Sequence, residues 1–213
     1  MRPHANAAAR MDPTIHLYWL PLGAGGHFVR WNGRAYEALV ALWDRRRPQD
    51  LYHSALEVTG PQGRFVIEMT PTPDASGPER GVVAEGAVGS RLAGHFRLFR
   101  YEVRRWNDGV IPDVDEAVGS PVHLSSDASD VRRLLELVPE VPTLVWGRDE
   151  LRAGDMWNSN SVVSWLLACT GLDIDALRPP SGGRAPGWKA GLVAAKRPTH
   201  QPRRLQVGTS QVL

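Results

Sequence analysis

Two alternating runs, Leu51-Tyr52-His53-Ser54-Ala55-Leu56-Glu57-Val58 and Arg64-Phe65-Val66-Ile67-Glu68-Met69-Thr70, flank the turn Gly60-Pro61-Gln62-Gly63. Branched and aromatic residues at period two, broken by Gly and Pro, specify a β-hairpin. A hairpin is antiparallel by construction, and each of its strands needs a neighbour and a covered face. Candidates for the neighbours are Ile15–Leu20, the alternating stretch 27–31 closed by Asn32-Gly33, a short strand over 81–85, and a long one over Phe96–Trp106. In the last, Phe96, Leu98, Tyr101 and Val103 alternate with Arg97, Arg100 and Arg104, so rings and cations are expected on opposite faces.

Three stretches carry helical periodicity instead. Tyr36, Leu39, Val40 and Trp43 share one face of a helix over 35–46, with Arg45-Arg46-Arg47 at its C-terminus, where cations suit the dipole. Val131, Leu134, Leu135 and Val138 mark a second over 129–138, capped by Asp127 or Ser129 and stopped by Pro139. The third follows the polar cluster Asn158-Ser159-Asn160-Ser161: Val162, Trp165, Leu166 and Cys169 form its apolar stripe, and Gly171 ends it. A helix is therefore expected over Ser159–Thr170. The fold class that follows is α+β, a mostly antiparallel sheet with a few packed helices. Residues 15–195 are expected to form one domain, residues 1–14 a disordered N-terminus, and residues 196–213 a basic disordered tail.

The net charge of +2 conceals an asymmetry. From Arg178 onward the chain has seven cations and no acid, so the rest sums to −5. Such an end is expected to be solvated, and the cations of Phe96–Trp106 are explained by a half-buried strand, so no nucleic-acid partner is expected. No apolar run approaches the roughly 18 residues of a membrane span, and the first ten residues lack the apolar centre of a secretory signal. The single cysteine, Cys169, excludes an internal disulfide and a Cys-rich zinc site. A cytoplasmic location follows. No metal or cofactor is expected: Pro21–Gly26 lacks the Lys-Ser/Thr of a phosphate loop, and Asp113, Asp115 and Glu116 lack the spacing and glycine of a calcium loop.

The chemistry-bearing residues are His53, Glu68 and Ser159. With a symmetric turn, His53 lies opposite Thr70 and Glu68 lies one diagonal away on the same face, where a carboxylate can hold a histidine tautomer. Ser159 stands at a helix start, where free N–H groups favour a developing anion. Nucleophilic catalysis needs such a hydroxyl, a base, an orienting group and oxyanion donors. The bland alternative is equally concrete: Asn158 to Ser161 cap a helix, and His53 and Glu68 sit on a wet sheet face.

Asn158-Ser159-Asn160-Ser161 followed by Val162-Val163-Ser164-Trp165-Leu166-Leu167, after a histidine strand Tyr52–Val58, resembles the circularly permuted branch of the papain-like, NlpC-type hydrolase superfamily. There an early strand carries the histidine, and the nucleophile comes late, in a pattern like Asn-Cys-Asn-Ser/Thr opening an apolar helix. The match covers these two segments and their order, not residues 1–47 or 178–213. Serine stands here at the cysteine position. The resemblance implies a papain-like permuted core and an amidase, peptidase or acyltransferase acting on a small peptide, a cell-wall peptide or an acyl group. Ser159 would attack, His53 would serve as base and Glu68 as its orienter. N–H groups near Asn160 would hold the oxyanion, and Asn158, Asn160, Ser161, Trp157 and Trp188 would line the binding cleft. A serine hydroxyl is far less acidic than a thiol, so a catalytically inactive binding module on the same fold, or a protein with no active site, stands as the alternative.

Overall fold

The computed structural model describes residues 11–22, 49–72, 81–180 and 182–197. The strand expected over 27–31, the helix over 35–46 and almost all of the basic tail lie outside the described residues. Within them, the hairpin runs form as expected. Strand β2 (Asp50–Gly60) pairs antiparallel with β3 (Gly63–Pro71), and the register runs from Gly60↔Gly63 to Leu56↔Ile67. Around this hairpin stand β1 (Thr14–Pro21), β4 (Val82–Ala87), β5 (Arg100–Asn107) and β6 (Val122–Ser125), giving the antiparallel order β4-β5-β3-β2-β1-β6. A two-residue strand, β7 (Gly183–Arg184), adds to the start of β2 in parallel.

Period-two alternation divides the side chains between two faces. On one face Ile15, Leu17, Trp19, Tyr52, Leu56, Val58, Phe65, Ile67, Tyr101 and Val103 join the main core. The helices α1 (Ala128–Leu137), α2 (Ser159–Thr170) and α3 (Trp188–Ala195) contribute the other half of that core. On the opposite face a smaller cluster gathers Leu20, Ala55, Val66 and Ile111. The molecule is a mixed α+β structure, with an antiparallel sheet and three helices among its described residues.

α2 is the central helix. It packs on α1, α3, β2 and β3, and every residue from Ser159 to Leu167 is buried. The expected single stripe is therefore too narrow, since Val163, Ser164 and Leu167 are enclosed as well. Burial all round is tolerated because Asn160, Ser161 and Ser164 are hydrogen-bonded inside: Ser161 Oγ donates to Gly187 O at 2.7 Å and Ser164 Oγ to Trp188 O at 2.9 Å. Gly191 of α3 makes this possible. It lies flush against Ser164 Oγ and the Ser161 carbonyl, with no room for a Cβ.

Two further elements depart from expectation. Strand β5 begins only at Arg100; Phe96 links the 3-10 turns Ala93–His95 and Arg97–Phe99, Leu98 lies in the second, and the two side chains are 69% and 72% exposed. Gly94 opens this departure by packing against Ala87, where a side chain would collide. Helix α3 was unexpected in a Pro/Gly-rich stretch. Its N-terminal N–H groups are capped from afar: Asp155 accepts from Gly187 N at 2.7 Å and from Lys189 N at 3.2 Å. No helix among the described residues is long and apolar enough to cross a membrane.

Candidate active site

The expected register is realised but stops early. β2 and β3 pair only as far as Leu56↔Ile67, after which β3 continues along β5 while β2 continues along β1. His53, three residues beyond the last pair, therefore gains Leu20 as its neighbour and no ladder partner in β3. Where the two strands part, a cavity of about 220 Å³ opens in the sheet. Its walls include His53, Glu68 and Ser159 together, although 106 residues of sequence separate the first from the last.

Asn160 sets the approach of α2 to this split. It is buried, and its amide reaches both neighbours of His53: Nδ2 donates to Tyr52 O at 2.9 Å and Oδ1 accepts from Ser54 Oγ at 2.8 Å. Nδ2 also donates to Pro186 O at 2.8 Å. With the helix pinned across Tyr52 and Ser54, Ser159 is carried to the cavity. Ser54 and His53 point to opposite faces of β2 by alternation, and α2 lies on the Ser54 side. Ser159 and His53 thus share a space only because the sheet is open there. No hydrogen bond joins them among the described residues.

The helix start is organised by Asn158. Its Oδ1 accepts from Asn160 N at 2.9 Å and from Ser161 N at 3.4 Å, and Ser161 Oγ accepts from Asn158 N at 3.0 Å, a reciprocal capping box. The N–H groups of Asn160 and Ser161 are therefore already engaged, contrary to the expectation that N–H groups near Asn160 await an oxyanion. The Ser159 N–H, one position earlier, has no acceptor among the described residues. The same holds for the Ser159 hydroxyl, in a residue only 6% exposed.

The expected binding residues divide accordingly. Asn158, Asn160 and Ser161 hold the helix in place and do not line the cavity. Trp157 is a core residue at 1% exposure. Trp188 packs at a tilt of 42° against Trp19, 5.2 Å between ring centroids, and borders a separate cavity of about 430 Å³ beside Asp155 and Lys189. The aromatic wall of the His53 cavity is Trp146, which no sequence motif singled out. Cys169 packs against the core, and burial pushes its thiol pKa up.

No hydrogen bond joins Glu68 to His53 among the described residues. The Glu68 carboxylate takes a hydrogen-bonded ion pair from Arg104 Nη1 at 3.2 Å, and Arg104 Nε bonds Glu102 at 3.0 Å, all three residues buried. Burial raises the Glu68 pKa, and Arg104 opposes the rise. The carboxylate felt by His53 is Asp113, held in the left-handed conformation at φ 57° after Pro112. Asp and Asn enter that region more readily than most residues. The His53 ring keeps some surface toward the cavity but is otherwise enclosed by protein. Burial lowers its pKa to about 4, and Asp113 opposes the fall. At neutral pH the imidazole is uncharged and can accept a proton. Sequence spacing could not reveal Asp113, because it reaches His53 across the fold from a loop.

Among the described residues no three His, Cys, Asp or Glu side chains gather as metal ligands. No protein-family model, curated protein or solved structure matches the chain.

Proposed function

We propose that the chain is a hydrolase or acyltransferase acting on amide or ester bonds through Ser159 and His53, on a permuted papain-like core. The observation that carries this reading is the convergence on one cavity, at a helix start, of a neutral, largely enclosed imidazole and the hydroxyl of Ser159, which has no hydrogen-bond partner among the described residues. Ser159 Oγ attacks the carbonyl carbon while His53 takes the hydroxyl proton. The tetrahedral oxyanion is met by the Ser159 N–H at the positive end of α2. His53 then returns its proton to the leaving group, and water or an acceptor alcohol or amine releases the acyl group by the reverse steps. Asp113 stabilises the transient imidazolium. A base of pKa near 4 has less drive than one poised near 7, so slow turnover is expected.

The absence of a Ser159–His53 hydrogen bond among the described residues favours a second reading, a binding module that keeps the cavity without the chemistry. A fluorophosphonate probe separates the two. Labelling of the wild type, lost in Ser159→Ala and in His53→Ala, supports the enzyme. A wild type that is not labelled and turns over no ester or amide leaves the binding module.

A further inference from the structure

The charge of the cavity wall was not anticipated by the sequence. Among the described residues its charged side chains are two carboxylates, Glu68 and Asp113, and neither Lys nor Arg lines it. The lining histidine adds no positive charge at neutral pH, because burial holds it unprotonated. Arg104 reaches Glu68 through one nitrogen and divides its guanidinium with Glu102, so the Glu68 carboxylate has only a shared cation. Apart from Ser54 and Thr70 the remaining wall is apolar, with Leu22, Met69 and Pro112, and Trp146 offers an aromatic ring. Ser159 supplies a separate sign that the space takes a ligand: the residue is only 6% exposed, its hydroxyl has no hydrogen-bond partner among the described residues, and it lines the same cavity.

From this wall we infer that the acyl group held by the cavity is compact and carries a positive charge, a primary ammonium at the end of a short chain, with Glu68 as its specificity-determining partner. The volume of about 220 Å³ lies below the about 300 Å³ at which pockets for drug-sized ligands begin, which suits one short chain and not a peptide. A carboxylate in a largely apolar, enclosed space prefers a desolvated cation to a neutral isostere and repels an anion. An ammonium over an indole ring gains further from the quadrupole. The inference rests on the Ser159/His53 reading for the word acyl, but its charge preference does not depend on turnover.

The test compares p-nitrophenyl esters of β-alanine, butanoate and succinate, which place an ammonium, a methyl and a carboxylate at about the same distance from the carbonyl. After correction for spontaneous hydrolysis, kcat/KM for the β-alanyl ester should exceed the butanoyl value by at least about tenfold, with the succinyl ester slowest. Glu68→Gln should narrow the β-alanyl to butanoyl ratio. The wild-type ratio decides the matter even if that variant does not fold. Turnover with equal or reversed preference overturns the inference and leaves the hydrolase reading standing. If nothing is turned over, n-butylamine and n-butanol are titrated into the wild type, following the Trp146 indole resonance. Tighter binding of the amine by about tenfold then sustains the inference without the enzyme, and equal binding overturns it.

Discussion

A histidine with a pKa near 4 in the folded chain makes stability depend on acidity in a definite way. The unfolded chain binds a proton at His53 near the ordinary value of 6.5, and the folded chain only near 4. Above about pH 6.5 neither state is protonated there, and the site costs nothing. As pH falls from about 6.5 to 4 the unfolded state gains the proton first, so stability is lost across that window. Below about pH 4 both states hold the proton and the loss is complete. At about 1.4 kcal/mol for each tenfold step the total is about 3 kcal/mol. His53→Gln removes this one titration and leaves the other six histidines in place. Urea unfolding of both proteins at pH 7, 5.5 and 4 reads the difference directly. The variant's disadvantage or advantage at pH 7 measures packing alone; by pH 4 the balance should have moved toward the variant by about 3 kcal/mol. Parallel curves, within about 0.5 kcal/mol, would refute the burial of the imidazole and with it the neutral base. Asp113→Asn should carry the acid loss to lower pH, because it removes the charge that holds the His53 pKa up.

Other perturbations test separate parts of the site. Asn160→Ala strands buried partners at Tyr52, Ser54 and Pro186, so thermal denaturation should show a loss of about 2–4 kcal/mol, with any Ser159 labelling lost as well. Gly191→Ala would add about 1 kcal/mol on helix propensity, but the new Cβ meets Ser164 and the Ser161 carbonyl; a net loss of about 1–3 kcal/mol by urea unfolding is expected, and a gain would contradict the α2–α3 contact. Phe96→Ser and Leu98→Ser should change stability by less than about 0.5 kcal/mol; a large loss in either would return them to a buried strand face. Ser159→Cys should make a thiol that iodoacetamide alkylates at a rate sensitive to His53→Ala, and an inert thiol would place the two side chains out of reach.

What the sequence made legible follows the range of the forces involved. The β2–β3 hairpin, Asp127 capping α1, and the start and end of α2 were readable because each is set by residues within a few positions: a turn, a cap, or the left-handed glycine Gly171 at φ 91°. Phe96–Phe99 misled because alternation alone cannot register a glycine, Gly94, that must lie against Ala87 from another strand. α3 was hidden for the related reason that its cap, Asp155, comes from before α2. Asp113, Trp146 and Arg104 were likewise invisible as site residues, since each acquires its role from a contact across the sheet.

The same distinction explains why His53, Glu68 and Ser159 could be named together while the partners of His53 and Glu68 could not. Correct hairpin register implies that Glu68 stands near His53, and it does line the same cavity. Register says nothing of where two strands separate. The ladder ends at Leu56↔Ile67, where β3 follows β5 and β2 follows β1; the β3–β5 register sets Glu68 directly opposite Arg104, and the parting from β2 admits α2 to the opening. A site made by a gap in a sheet depends on the failure of pairing, which local sequence pattern does not encode. Closing that gap is accordingly the most damaging change to the proposed chemistry: a larger apolar residue at Ala55, a wall residue at 1% exposure, should cost about 1–3 kcal/mol through overpacking while also filling the space His53 and Ser159 share. Ala55→Leu that labels with fluorophosphonate as fast as the wild type would mean the reacting hydroxyl does not use this cavity.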